Sequence, residues 1–85
     1  MQVQVGSYYH DEARGAQREI HLTLNDTDGE ELFPNGWSEW EPEEKFRKLS
    51  GIADILTIKY AVTRGFRSVD TAATDIKKII ERDLK

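Results

Sequence analysis

No cysteine occurs in the 85 residues, which excludes disulfide bridges, Cys-ligated zinc and thiol nucleophiles and leaves an apolar core to hold the fold. A reducing, intracellular setting agrees with that. Histidine is nearly as scarce, at two residues. No apolar run approaches the ~20 residues that a membrane-spanning helix requires. The start, MQVQVGSYY, has neither the basic residues nor the apolar stretch of a secretory signal. A protein of the cytoplasm, in the producing or a host cell, with no membrane partner is therefore expected. Phosphate loops of the G-x-G-x-x-G or G-x-x-x-x-G-K type are missing, and so is a G-x-S-x-G elbow. A chain this short buries only ~60–65% of the surface it exposes when unfolded, so there is little room for a deep cleft.

Lysine and arginine are absent where the acids are densest. Residues 25–44 hold Asp26, Asp28, Glu30, Glu31, Glu39, Glu41, Glu43 and Glu44 and no base, a charge of −8. Residues 1–24 are nearly neutral, with three acids against two bases, whereas residues 45–85 carry ten bases against five acids, a charge of +5. The net charge of −4 thus hides a chain that is electrically bipolar along its length. Either the two segments fold against each other and cancel, the usual habit of surface charge, or the acidic one is displayed to a partner. Trp37 and Trp40 lie among the acids, and aromatics beside charge are typical of contact hot spots.

Two segments alternate with the period of a strand. Val3, Val5 and Ser7 fall on one side of the first, and Ile20, Leu22 and Leu24 on one side of the second. Joined through a loop over residues 10–17, with Tyr9 opposite Arg18, they place Val3 against Leu24, Val5 against Leu22 and Ser7 against Ile20. One face is then apolar and the other polar, and a slip of one residue would invert it. Asn25-Asp26-Thr27-Asp28-Gly29 reads as a turn, Glu30–Phe33 as a short third strand, and Pro34-Asn35-Gly36 as its end.

From Pro42 the period changes to that of a helix. Proline suits the first helical position, and Glu43 and Glu44 complement the positive end of the helix dipole. Phe46, Leu49, Ile52, Ala53, Leu56 and Tyr60 share one side, and Ile55, Ile58 and Val62 widen the apolar arc, so this helix is expected to be covered on two sides. Gly51 weakens a helix interior by roughly 1 kcal/mol and marks a place where it could break, with Ser50 capping a second piece. Gly65 followed by Phe66 has the form of a helix stop. Residues 55–63 also fit a strand by alternation, although the span between Pro42 and Gly65 favours helix. A last helix capped by Ser68 runs through Val69, Ala72, Ile76, Ile79, Ile80 and Leu84. The expected fold class is α+β in one domain over 1–85. A β-meander over 1–33, two long strands plus a short third, leads through an acidic and tryptophan-bearing connector over 34–41 to a helical hairpin over 42–85.

The residue types do not assemble a catalytic or metal site. In the register above His21 lies opposite Gly6, about four strand positions or ~13 Å from His10, too far apart to share an ion at ~2.0–2.2 Å. Aligned on Gly29, the Asp26-Thr27-Asp28-Gly29 run would need calcium ligands where Leu24 and Asn35 stand. Ser7, Ser38, Ser50 and Ser68 have no histidine near them in sequence. The carboxylates are many, but none is set apart from its neighbours as acid or base. No enzyme, no cofactor and no metal is expected.

Binding remains. The acidic and aromatic stretch, through Glu30, Glu31, Trp37, Glu39, Trp40, Glu41, Glu43 and Glu44, is suited to a basic groove on another protein, where carboxylates stand in for nucleic-acid phosphates. At least one of the two indoles is nevertheless expected to plug the junction of sheet and helix, because large core residues are few. An inhibitor or regulator of a nucleic-acid-handling protein is the leading expectation, and small acidic cysteine-free chains of phages and mobile elements share the composition. Direct nucleic-acid binding through Lys59, Arg64, Arg67, Lys77, Lys78 and Arg82 is the alternative, weakened by interleaved acids and a pI of about 5.1. A third is an assembly protein, with a homodimer completing its thin core.

Overall fold

Alternation in the first 25 residues produces a hairpin. In the computed structural model, which describes residues 2–85, β1 (Gln2–Asp11) pairs antiparallel with β2 (Ala16–Asn25). Val3 lies opposite Leu24, Val5 opposite Leu22, Ser7 opposite Ile20 and Tyr9 opposite Arg18, the register that matching of the two apolar faces requires. The connection is tighter than the expected loop over 10–17. Both strands continue to a single 3-10 turn, Glu12–Arg14, closed by Gly15 at φ 62°, a left-handed conformation that glycine adopts without steric cost.

The expected third strand is corrected: Asp26–Leu32 is a helix, α1. Its start is set by the residues that looked like a turn. The Asn25 side-chain oxygen accepts the Asp28 N–H at 2.9 Å, and Asp26 and Asp28 stand in the first turn, where the helix dipole favours negative charge. Among the described residues the sheet therefore has two strands, and the α+β class stands.

Helix α2 (Pro42–Thr63) is unbroken, with proline in its first turn. Gly51 is not a hinge but a notch. A Cβ there would stand 3.0 Å from the Cβ of Asp83, so the missing side chain admits the C-terminal turn. Residues 55–63 are helical, and Ala53, Thr57 and Ala61 form a buried ladder at i, i+4 spacing. The helix ends at Gly65, φ 75°, whose N–H donates to Val62 O while that of Phe66 donates to Ala61 O, the double bond of a Schellman stop. Ser68 caps α3 (Val69–Ile79), its Oγ accepting the Thr71 N–H at 3.2 Å. The expected helix to Leu84 then widens into a π turn, Ile80–Leu84, which turns Asp83 inward and leaves Ile80 exposed.

One face of α2 packs on the sheet and another on α3. Val3, Val5, Leu49 and Ala53 form the core, and Trp37 plugs one end of it. The hairpin lies along α2: the groove by Val3 is shared with Phe46, Ser7 Oγ donates to Asp54 Oδ1 at 2.9 Å, and the Tyr9 and Tyr60 rings are 5.9 Å apart. The body is consequently elongated, 42 × 21 × 18 Å. The α1 lobe stands at one end, and the hairpin turn with the C-terminus of α2 at the other. No helix among the described residues is long and apolar enough to cross a membrane.

Candidate functional site

The acidic lobe is built on two glycines that lie under two tryptophans. Trp37 covers Gly29 of α1, and Trp40 covers Gly36 in the following turn, so closely that a Cβ at either glycine would overlap the indole. Phe33 lies between them, nearly parallel to Trp37 at 6.3 Å between centroids and tilted against Trp40 at 5.1 Å. Backbone bonds from Trp37 N–H to Phe33 O and from Trp40 N–H to Gly36 O wind this segment tightly. Trp37 is 1% exposed and its Nε1 donates to Asp26 Oδ1 at 3.0 Å. This is the indole that plugs the core, and the expectation that it meets a partner is corrected: its ring and its polar handle are both used internally.

Part of the charge is also used internally. Lys45 Nζ lies 5.0 Å from the centre of the Trp37 ring and 3.8 Å from Asp26 Oδ1. Lys48 Nζ lies 5.2 Å from the Trp40 ring and 3.6 Å from Glu44 Oε1. Glu44 accepts from Arg47 through both oxygens, at 2.6 and 2.8 Å from Nη2 and 3.1 Å from Nε. Glu44 is thus clasped by the chain's own cations and leaves the expected contact set. The Arg47 guanidinium holds its carboxyl below the usual range, and the Trp37 N–H does the same for Asp26. At the back of this cluster Asp83, buried beside Gly51, is lowered by its bond to Arg82.

The other acids point out. Glu30, Glu31, Glu39, Glu41 and Glu43 are all exposed, and none forms an ion pair among the described residues. Asp28 joins them, its carboxylate exposed at the start of α1. The segment that follows α1 carries a shallow groove of about 350 Å³ lined by Leu32, Phe33, Asn35, Trp40 and Leu84. Trp40 is half-buried at its wall, and Leu32 is 57% exposed at its rim. Of the eight residues expected at the contact, the structure brings five glutamates and Trp40 to one end of the molecule and withdraws Trp37 and Glu44. Leu32 was not anticipated, because Glu30–Phe33 reads as a strand with no face assigned to it. Its helical setting turns it to the surface.

At the opposite end Tyr9, Tyr60 and Phe66 form an aromatic cluster ringed by arginines. Arg14 and Arg64 each lie 5.9 Å from the centre of the Phe66 ring, and Arg18 lies 5.9 Å from that of Tyr60. Arg14 pairs with Asp11, while Arg18 and Arg64 have no carboxylate partner among the described residues. The basic set expected on the helices is thinner than its count. Arg67 pairs with Asp75, and Arg82 with Asp83, leaving Lys59, Arg64, Lys77 and Lys78.

Ser7 donates to Asp54 beside Arg82. His10 and His21 face Glu12 and Glu19 at 4.0 and 3.1 Å on separate strands. Among the described residues no three His, Asp or Glu side chains are grouped to hold a metal ion. Compared with protein-family models, with curated proteins and with solved structures, the chain gives no match.

Proposed function

We propose that this chain is a non-catalytic protein-binding module, an inhibitor or regulator that docks its acidic end into the basic groove of a nucleic-acid-handling protein in the cytoplasm of its producing or host cell. The observation that carries this reading is the separation of roles among the acids. Lys45, Arg47 and Lys48, the cations nearest the lobe, are turned onto Asp26, Glu44 and the indoles. Glu30, Glu31, Glu39, Glu41 and Glu43 are left uncompensated at the surface. A groove that binds nucleic acid gains affinity by releasing counterions, and a rigid cluster of carboxylates competes for the same lysines and arginines. The Leu32 and Trp40 groove supplies the apolar contact that a hot spot needs beside its charges.

The test is capture of a partner from lysate followed by competition. Duplex DNA should displace the chain, and reversal of Glu30, Glu31, Glu39 and Glu41 to Lys should abolish capture with the circular dichroism unchanged. Undiminished capture by that variant would remove the acidic end from the contact. The second reading, direct nucleic-acid binding, draws on the cations Arg18, Lys59 and Arg64 at the far end. A tight, salt-dependent gel shift with duplex or single-stranded nucleic acid would replace the first reading by this one.

A further inference from the structure

The flank of α2 that carries Lys45 and Lys48 is covered by the α1 lobe over only half its length. At 100° per residue, Lys45, Lys48 and Ile52 share this flank with Ile55, Leu56 and Lys59. In the first half the α1 lobe lies on it: Lys45 is 8% and Lys48 4% exposed under Trp37 and Trp40. In the second half the flank borders α3, where Lys59 is exposed beside a groove lined by Val62, Ala72 and Ile76, while Ile55 and Leu56 are partly buried, as Ile52 is. The sheet beneath is covered unevenly across its two strands. Val3 and Val5 of β1 are buried, whereas Ile20, Leu22 and Leu24 of β2, on the same face, are only partly covered. Among the described residues β2 also has no strand on its outer side, leaving a row of unpaired backbone groups.

We infer that the free edge of β2 pairs antiparallel with the same edge of a second copy, giving a two-fold symmetric dimer with a four-stranded sheet in the order β1–β2–β2–β1. A two-fold through a residue near the middle of β2 keeps Ile20, Leu22 and Leu24 of both copies on one face, as the pleat requires. It reverses the long axis, so the α1 lobe of each copy comes over the second half of the other's flank. Charge follows shape. The lobe brings Asp28, Glu30 and Glu31 towards Arg18, Lys59 and Arg64 of the partner subunit, so that cations without a carboxylate among the described residues meet acids without a cation. Spacing selects β2 over β1. Strands lie about 4.8 Å apart and helices need about 8–10 Å between axes. With α2 above β1, pairing through β1 would crowd the two helices, whereas pairing through β2 separates the two copies of β1 by three strand spacings.

The inference does not rest on the proposed function, and a monomer would leave that function untouched. If both hold, a basic target protein competes with the second copy for the same carboxylates. Sedimentation of the full chain at low salt should give twice 9.8 kDa and should shift towards that single-chain mass as salt is raised. Arg18→Glu should weaken the dimer by about tenfold or more, and so should the pair Glu30→Lys and Glu31→Lys. Mixing those two variants should restore a heterodimer, because each then meets the opposite charge. Since the chain has no cysteine, His21→Cys places a thiol at mid-β2, and mild oxidation should cross-link it between copies, while Gln4→Cys on β1 should not cross-link. A single-chain mass at high concentration, no recovery on mixing, or cross-linking through Gln4→Cys in place of His21→Cys would each overturn the inference.

Discussion

Gly29 is set by what lies on it. Its site in α1 would ordinarily gain up to about 1 kcal/mol of helix propensity from alanine, but the added Cβ would enter the Trp37 ring. That ring is buried on its other side by the core and held by Asp26, so it has nowhere to go. Gly29→Ala should therefore destabilise the protein by about 1–3 kcal/mol, the usual cost of overpacking, and a urea titration would show it as a lower midpoint with the slope unchanged. The clasped carboxylates make a second prediction at this scale. Asp26, Glu44 and Asp83 all titrate below their ordinary range in the folded chain. The unfolded chain takes up protons first as pH falls, so their stabilisation is full above the ordinary carboxyl values of 3.8 and 4.5 and is lost as pH drops through the lowered folded ones. The melting temperature should be flat above about pH 5 and fall below it, and Asp83→Asn should make that fall shallower.

Among the elements, α2 carries most of the organisation, and its notch at Gly51 joins it to the end of the chain. Arg47 Nη1 donates to Arg82 O at 2.7 Å and Lys48 Nζ to Lys85 O at 3.2 Å, so the π turn is held from α2 on both sides of the glycine contact. Gly51→Leu should push this turn off the helix. The expected outcome is a lower melting temperature together with proteolysis confined to residues 80–85, while the hairpin amides keep their protection from hydrogen exchange. If those residues stayed as resistant as in the parent chain, the notch would not be what seats them. The hairpin register, the proline start of α2, the glycine stop at Gly65 and the Ser68 cap were all legible, because each depends on neighbours within a few residues or on the parity of two strands. Helix α1 was not legible. Asn25 and the acids after it are as good a turn as a cap, and what chooses the helix is Trp37, eight residues beyond Gly29, packing on its surface.

As a whole the molecule is a rod with an acidic end and a cationic, aromatic end, because the hairpin and α2 run alongside each other and the acidic segment closes one end of both. This arrangement forms the basis of the partner and dimer experiments above, and it separates their variants. Reversing Glu39 and Glu41 leaves the glutamates opposite Arg18 of the partner subunit in place, and should therefore weaken capture of a basic protein more than self-association. Glu44→Lys belongs in neither experiment. It would break the Arg47 clasp and place a third cation beside Lys48, so lost binding in that variant would reflect a loosened lobe.

By itself the sequence determined the bipolar charge, the α+β class, the pairing of the two strands and the limits of the long helix, since composition and short-range periodicity are read without knowing what lies far along the chain. Which carboxylates are spent inside, which tryptophan is core and which stands at the surface were decided only by tertiary structure. Glu43 and Glu44 are adjacent and identical in kind, yet Glu44 lies within reach of both Arg47 and Lys48 and Glu43 does not. Trp37 and Trp40 sit three residues apart, and only Trp37 is buried in the core, with Asp26 placed to accept its N–H. The physical reason is that burial and ion pairing are properties of surroundings assembled from several elements, whereas strand parity and helix caps are properties of the chain's own neighbours.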